Sequence, residues 1–527
     1  MASSPSLART SSQGPVPLQV APSDQIENRG QNGGRTLISW GISALSHDAA
    51  LAVFEGKALR FAAHSERYSR RKNEALLHPD LLSEALTFGQ PEALFWYERP
   101  LRKKMRQVRA GQIRDALALS DLPSRYLRRL DVDWGGTSIE QYSSHHDSHA
   151  AAGVYTSGFS NAAVITADSI GEFATFTVSA FDAASGLRRL STVDYPHSLG
   201  LLYSAFTRRC GFRPNEDEYV VMGMASAGEP IWVQDIFDDF VELRDSGFRI
   251  KANVHRGIGA WKPDARVEDL AASIQRVTEI ALVRIAKWAQ VQTRSSNLVL
   301  AGGVALNCVA NSLIAAECGF DDVWIFPNPG DAGSSVGAVA AVLQTPLEFP
   351  GPYLGTDIGG DYPVEGLMTE LLREGIVGVA NGRAEFGPRA LGNRSILADP
   401  RPATMKDRVN GVKGREPFRP FAPVIREDRV QENFELPVRS SPYMQFTGKT
   451  LRPSELPAVT HFDGSSRVQT VSELQHPGLY ALLGEWERAT GCPVLLNTSL
   501  NGRSQPLVNT RQDAERFEQA TGLRVLT

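Results

Sequence analysis

The chain has 527 residues, of which 42% are hydrophobic and 22% charged, with a formal net charge of −4. These are the proportions of a soluble globular protein with room for two or more domains. No apolar run reaches the roughly 18 residues of a membrane-spanning helix, and a pI near 6.2 speaks against an extended basic nucleic-acid surface, so neither a membrane nor a nucleic acid is an expected partner. The opening MASSPSLARTSSQGP lacks the apolar core of a secretory signal. Residues 1–35, rich in Ser, Gly, Pro, Gln and Asn, read as a disordered tail. Cys210, Cys308, Cys318 and Cys492 form no CxxC pair, so they read as small core residues of a protein in a reducing cytoplasm.

Order is expected from Thr36. TLISWGI, AALAVFE and ALRFAAH predict three strands joined by the polar loop SALSHD and a Glu-Gly turn. Residues 162–193 repeat the plan, with an apolar strand, the loop DSIGE, a long alternating strand, a turn at Ala184-Ser185-Gly186 and another strand. A duplicated unit that opens on a three-strand meander fits an actin-like ATPase architecture by fold analogy. Between the copies, LRKKMRQVRAGQIRDALALSDLPSRYLRRL is helical in period and basic. It reads mainly as solvated helices, with an acceptor-binding or oligomer surface as the alternative.

A helix is expected to open near Ser144, where HHDSHAAAG begins with a polar cap. His145 and His149 are four apart and share one helical face, an arrangement suited to a metal; His146 faces elsewhere. Asp168, in the glycine loop of the second meander, and Asp331, in NPGDAGSS, are the nearby carboxylates. Two imidazoles and two carboxylates suit Fe²⁺, Mn²⁺ or Zn²⁺. The acidic run NEDE before Tyr219 is placed to cap a helix, and residues 267–290 form an amphipathic helix. NLVLAGGVALN and WIFPNPGDAG each read as strand, tight turn and helix. The Gly302-Gly303 turn offers backbone N–H groups to phosphate or ribose oxygens.

Residues 346–362 are rich in Pro and Gly and read as a linker between a first domain, 36–345, and a second, 363–527. The second contains the stretch around which the chain is organised. Between Gly382 and Arg419 there are nine Lys or Arg against four Asp or Glu, with glycines among the arginines. In an acidic chain this suggests a pocket for a small, highly charged anion. A solvated basic face is the alternative. PVLLNTSLN predicts a buried strand running into a polar loop, where Asn497, Ser499 and Asn501 either present hydrogen-bond groups or cap the turn.

HHDSHAA, DSIGE, AGGVALN, GDAGSSVGA, FGPRALGNRSILADPR, KGREPFRPFAP, HFDGSSRVQ and NTSLN together resemble the O-carbamoyltransferases of the NodU/CmcH family, in order and spacing, from residue 36 to the C-terminus. The resemblance implies an α/β chain. A TsaD-like duplicated domain of actin-like, ribonuclease H-like fold is followed by a YrdC-like α/β domain. The second domain would join carbamoyl phosphate and ATP, with Mg²⁺, into carbamoyl-adenylate, releasing pyrophosphate. The first would pass the carbamoyl group to a hydroxyl of a small natural-product acceptor, releasing AMP. By the same resemblance His145, His149, Asp168 and Asp331 match a metal site, with Fe²⁺ the expected ion. Gly302, Gly303 and Asn307 match a nucleotide-contacting turn. Arg389, Lys413, Arg415, Arg419, Arg467, Asn497, Ser499 and Asn501 match the carbamoyl-phosphate and adenylate site. His47, in the first loop of the first meander, is the candidate general base, and a homodimer is the expected assembly. Val220 stands where relatives carry Lys and Ala227 where an aromatic is common, and the segment between Phe248 and Ala272 is short; these departures bear on the acceptor. A threonylcarbamoyl-type tRNA-modifying enzyme and a non-catalytic actin-like nucleotide-binding regulator are the competing readings.

Overall fold

The computed structural model describes residues 36–416 and 419–527; the tail expected over residues 1–35 lies outside them. Strands β1 (Ile38–Ser43), β2 (Ala50–Glu55) and β3 (Ala58–His64) form the first meander. β4 (Ala93–Trp96) and β5 (Ile139–Tyr142) continue in parallel from β1, giving the order β3-β2-β1-β4-β5. β6 (Asn161–Ala167), β7 (Ala174–Asp182) and β8 (Gly186–Asp194) repeat the meander, and a small hairpin, β9 (Val241–Arg244) with β10 (Gly247–Ile250), follows it. β11 (Asn297–Ala301) and β12 (Asp322–Ile325) then extend the second sheet in parallel from β6. Both sheets therefore share one strand order, the duplicated actin-like, ribonuclease H-like plan.

β1 and β2 are buried along nearly their whole length, as expected of strands covered on both faces. The two sheets meet across helices His145–Ser157 and Ser334–Leu343. These helices approach so closely that a Cβ on Gly337 would lie 1.8 Å from the Ser148 carbonyl oxygen. Only glycine allows that contact, and it brings the first turns of both helices together.

The stretch read as a linker carries β13 (Tyr353–Asp357), which pairs antiparallel with β15 (Arg383–Glu385). The main C-terminal sheet contains β14 (Ile376–Ala380), β16 (Arg394–Ala398), β17 (Ala422–Arg426), β21 (Gln469–Val471), β22 (Val494–Ser499) and β23 (Val525–Leu526), in the order β21-β17-β22-β16-β14-β23. Helices Val364–Glu374 and Pro477–Thr490 cover one face, and Met405–Lys413 and Arg511–Thr521 the other. This is the α/β unit expected of the second half. A short sheet of β18 (Phe434–Glu435), β19 (Thr447–Thr450) and β20 (Ser465–Arg467) lies beside it.

Long-range hydrogen bonds lock the two halves together. The buried Arg67 donates to the Gly387 carbonyl at 2.7 Å, and Arg70 donates to the carbonyls of Leu507 and Pro506. Gln445 donates to the carbonyls of Ile325 and Phe326, both at 3.0 Å. A cavity of about 630 Å³ lies along this seam and is lined from both sides.

Candidate functional site

Helix His145–Ser157 opens as the sequence predicts, with Ser144 accepting from the Asp147 N–H. Its first two turns present His145 and His149, whose Nε2 atoms lie 3.1 Å apart. Asp168 arrives from the β6–β7 loop and Asp331 from the turn after β12. His145 Nε2 is 3.0 Å from Asp168 Oδ2 and 3.5 Å from Asp331 Oδ1. His149 Nε2 is 3.6 Å and 3.4 Å from the same two oxygens. All four residues are buried, and their donor atoms lie within 4.8 Å of one another. His146 points away and bonds Thr177 at 3.1 Å. Ser334 lies 3.1 Å from His149 Nδ1, which leaves Nε2 toward the cluster.

Two buried carboxylates and two facing imidazole nitrogens form a donor set that fits a divalent cation. The electrostatics agree. Burial would lower His149, but Asp168 and Asp331 overcome it and hold the imidazole up at about 9. Burial would raise both carboxyls, yet the histidines hold Asp168 well below the usual range and Asp331 below it. The pocket stabilises positive charge.

His47 lies at the rim of this cluster, with Nε2 3.7 Å from Asp331 Oδ2 and Nδ1 3.0 Å from Asp48 Oδ2. The Asp331 charge, against burial, raises it to about 10. Its loop holds Leu45 at φ 68° and Asp48 at φ 57°. A left-handed leucine is uncommon and typical of functional loops. Here Lys103 Nζ, 3.2 Å from the Leu45 carbonyl oxygen and 2.6 Å from Glu98, braces it.

The turn that Gly302 opens lines the cavity through Gly303 and Val304. Gly302 has φ 84°, and a Cβ there would lie 2.2 Å from the Ala167 carbonyl oxygen. Asn307 caps the helix Cys308–Glu317 by accepting from the Ala310 N–H, and exchanges hydrogen bonds with Gln275. Gln275 also bonds Tyr203 and Glu279. Sequence reading missed this polar wall. Its signal was Gln275 and Glu279, four apart on the buried face of helix Val267–Thr293. NEDE does not cap its helix: Asp217 accepts instead from the Arg213 N–H, and Glu218 from Ser204 and the Asn215 N–H. The acidic run braces its own loop because its side chains turn back toward residues 204–215.

The C-terminal half supplies the cations of the cavity. Arg389, Lys413, Arg415, Arg419 and Arg467 all line it, with Asn497, Ser499 and Asn501. Lys413 Nζ is held by the Ser499 carbonyl and by Asn501, whose Oδ1 is 2.8 Å away. Arg415 bonds Asn410 at 2.7 Å and stacks over Phe421, and Arg419 stacks over Tyr219 from the N-terminal half. Arg419 faces Glu416 at 3.7 Å. The other four cations have no carboxylate within ion-pair distance among the described residues. Burial, reinforced by Arg467, pushes Arg389 down to about 9, and burial with Arg419 does the same to Arg415. Burial, with Arg415 and Arg419, holds Lys413 well below its ordinary range. Arg415 Nη2, Arg467 Nε and Asn497 Oδ1 are buried without partners among the described residues. This pole stabilises negative charge.

All the candidate site residues read from sequence thus border one space, apart from His145, His149 and Gly302, which stand directly behind its wall; Ala227, a departure expected to bear on the acceptor, is exposed and does not line it. Lys72, His64, Arg67 and Tyr219 also line it and carried no pattern in the sequence. Val220 is buried in the same wall. All four cysteines are buried free thiols.

Comparison with known proteins identifies the family. Residues 136–340 fit the family model for the carbamoyltransferase N-terminus, and residues 368–527 the model for the carbamoyltransferase C-terminus. The uncharacterized protein sll1178 of Synechocystis sp. is 35% identical over 92% of this chain and 95% of its own. Nodulation protein NolO of Bradyrhizobium diazoefficiens is 35% identical over 70% of this chain and 75% of its own. The crystal structure of full-length HypF in its phosphate- and nucleotide-bound form aligns at a TM-score of 0.34 with 12% identity, covering 59% of this chain and 55% of that one. So weak a likeness adds nothing to the topology described above. The chain is a transferase and belongs to the carbamoyltransferase family that includes the nodulation proteins NolO and NodU.

Proposed function

We propose that the protein is an ATP-dependent O-carbamoyltransferase that makes carbamoyl-adenylate and passes its carbamoyl group to a hydroxyl of a small-molecule acceptor. The observation that carries this reading is a single cavity with two oppositely charged regions, a cluster of the buried Lys413 and four half-buried arginines from the C-terminal half and the His/Asp cluster of the N-terminal half. Carbamoyl phosphate and ATP together bring a dense negative charge. Arg389, Lys413, Arg415, Arg419 and Arg467 would neutralise it and hold the reacting phosphate in line. Atom balance requires phosphate to leave as well as pyrophosphate, with water supplying the oxygen, so that a carbamate oxygen becomes bonded to the α-phosphorus.

The Gly302-Gly303 turn and Asn307 would hold the nucleoside part within the same space. A shared cavity, walled from both halves of the chain, would limit the exposure of a mixed anhydride to bulk water. In the second step the acceptor oxygen attacks the carbamoyl carbon, its proton passes to His47 Nε2, and AMP leaves. His145, His149, Asp168 and Asp331 would hold a divalent ion, Fe²⁺ by family resemblance, with Mg²⁺ accompanying ATP. When bound, that ion supplies positive charge that offsets the carboxylates beside His47 and polarises a substrate oxygen.

ATP–pyrophosphate exchange tests the first half-reaction. Exchange should require carbamoyl phosphate and disappear in Arg389→Ala. Exchange that is absent under every condition, in folded protein, would sink the reading. Carbamoyl transfer that survives His47→Asn, with adenylate still formed, would remove His47 as the base.

A further inference from the structure

The basic segment between the two meanders lines no part of the cavity, and it precedes both segments that match the family models. Fourteen large hydrophobic side chains are exposed among the described residues, and six of them are Leu101, Met105, Val108, Ile113, Leu117 and Leu119. Leu101, Met105 and Val108 follow the i, i+4, i+7 spacing of one face of helix Pro100–Arg109. Ile113 and Leu117 belong to the next helix, Ile113–Leu117, which packs beside it. Leu101 is 73% exposed and Leu117 72%. Isolated exposed leucines are ordinary, but a contiguous apolar patch on a monomer marks an interaction site.

The rim of the patch is cationic. Arg102, Arg109 and Arg114 are exposed and their side chains have no ion-pair or hydrogen-bond partner among the described residues, and they outnumber the exposed Asp115 and Asp121, the second of which faces Lys104 at 3.7 Å. The opposite face of helix Pro100–Arg109 is committed to the fold. Arg106 is buried and donates to Gln112 at 2.8 Å, and Lys103 bonds the Leu45 carbonyl oxygen in the loop that carries His47. One helix therefore braces the candidate base loop on one side and leaves an unpartnered apolar stripe on the other.

We propose that this face docks an acidic amphipathic helix of a partner protein. An apolar stripe with an arginine rim complements leucines edged by glutamates, the helix-in-groove mode of recognition. A symmetric contact with a second copy would set the arginine rims against each other, because a two-fold interface pairs identical patches. A membrane surface is a poorer occupant, since none of the six exposed residues is aromatic and interfacial helices anchor through Trp and Phe. The further step, that the partner brings the acceptor to the His47 end of the cavity, rests on the function proposed above; the docking itself does not.

Fluorescence anisotropy with two labelled peptides tests it on the full chain. Both carry leucines at i, i+4, i+7 spacing, one with glutamates and the other with lysines on the flanks. The glutamate peptide should bind at least about tenfold tighter. Met105→Glu with Val108→Glu should weaken it by about the same factor, leaving the thermal transition and pyrophosphate exchange unchanged. Equal binding of both peptides, no binding of either, or indifference to the double substitution overturns the proposal. Tighter binding to phosphatidylglycerol vesicles than to the glutamate peptide overturns it in favour of a membrane. A wild-type dimer that the double substitution dissociates overturns it in favour of self-association. Loss of pyrophosphate exchange with peptide binding intact would count against the proposed activity alone.

Discussion

Arg394 offers a sharp test of how the C-terminal half is held. It lies within the basic stretch, yet no substrate can reach it: the side chain is 0% exposed. Its guanidinium makes six N–H···O contacts, none longer than 3.2 Å, to the carbonyls of Thr356, Asn381, Gly382, Asn393 and Asn509. These carbonyls belong to β13, to the turn after β14, to the residue before β16 and to the segment before the last helix, so one side chain ties four parts of the chain together. Burial pushes its pKa down to about 10, which still leaves it charged at neutral pH. Arg394→Met keeps the bulk and deletes every donor. Removing one member of a buried charged network costs about 3–5 kcal/mol, because the stranded carbonyls forfeit their hydration with no replacement. In a unit of this size that lowers the melting temperature by about 6–20 °C. Calorimetry on the full chain should show the C-terminal transition moving by that amount, with the N-terminal one less affected. A shift under about 2 °C would refute the carbonyl-cage account, and Arg394 would then have to act through charge or shape alone.

Three further predictions concern the site and its supports. His149→Ala and Asp331→Ala should each reduce bound divalent metal, measured by elemental analysis, from about one ion per chain to near none; full retention in both would mean that the ion is held elsewhere. Gly302→Ala should lower the melting temperature and weaken nucleotide binding in calorimetric titration, since a Cβ at φ 84° meets the Ala167 carbonyl oxygen at 2.2 Å; wild-type behaviour would mean that the turn is free to move. For Asp513, burial alone would raise the carboxyl, but the Thr510 N–H, Arg70, Arg516 and the Asn509 N–H outweigh it and leave the pKa lowered. A carboxyl lowered on folding adds stability above its unfolded value near 4, and that stability is lost as pH falls through the lower folded value. Asp513→Asn should therefore cost stability at pH 7 and flatten its decline below pH 4 in urea titrations, whereas parallel pH profiles would discount the group.

Both meanders were legible because alternating apolar runs bounded by Gly, Asp and Ser leave few options. Their duplication followed from the same loop chemistry at Asp48 and Asp168. The metal cluster was legible in part: His145 and His149 declare themselves by helical spacing, but Asp331 stands 163 residues beyond Asp168 in the chain and meets it only because β11 and β12 extend the second sheet. The seam was illegible. Arg67, Arg70 and Gln445 reach backbone carbonyls in the other half, and a carbonyl partner leaves no trace in side-chain pattern. The basic stretch hid two kinds of arginine that composition cannot separate. Arg389 lines the cavity, half-buried and without a hydrogen-bond or ion-pair partner among the described residues, while Arg394 is fully buried and enclosed by carbonyls. Burial, not charge, distinguishes them.

The duplication also explains why the candidate site forms where it does. In each half the loop between the first two strands of the meander projects from the same edge of its sheet. The first such loop carries His47 and the second carries Asp168, so one fold position yields a candidate proton acceptor in one copy and a candidate metal ligand in the other. Asp331, at the end of the second sheet, joins them, lying 3.7 Å from His47 and within reach of both helix histidines. The close packing at Gly337 fixes this meeting, because the helices bearing His149 and its partner Ser334 cannot slide apart without losing the backbone contact. Gly337→Leu, remote from any substrate, should therefore act at a distance. Forced separation of the helices would move Asp331 away from His145 and lower metal affinity by at least about tenfold, even in protein that remains folded by circular dichroism. Unchanged metal affinity in that folded variant would show that the loops, and not the packed helices, set the geometry of the cluster.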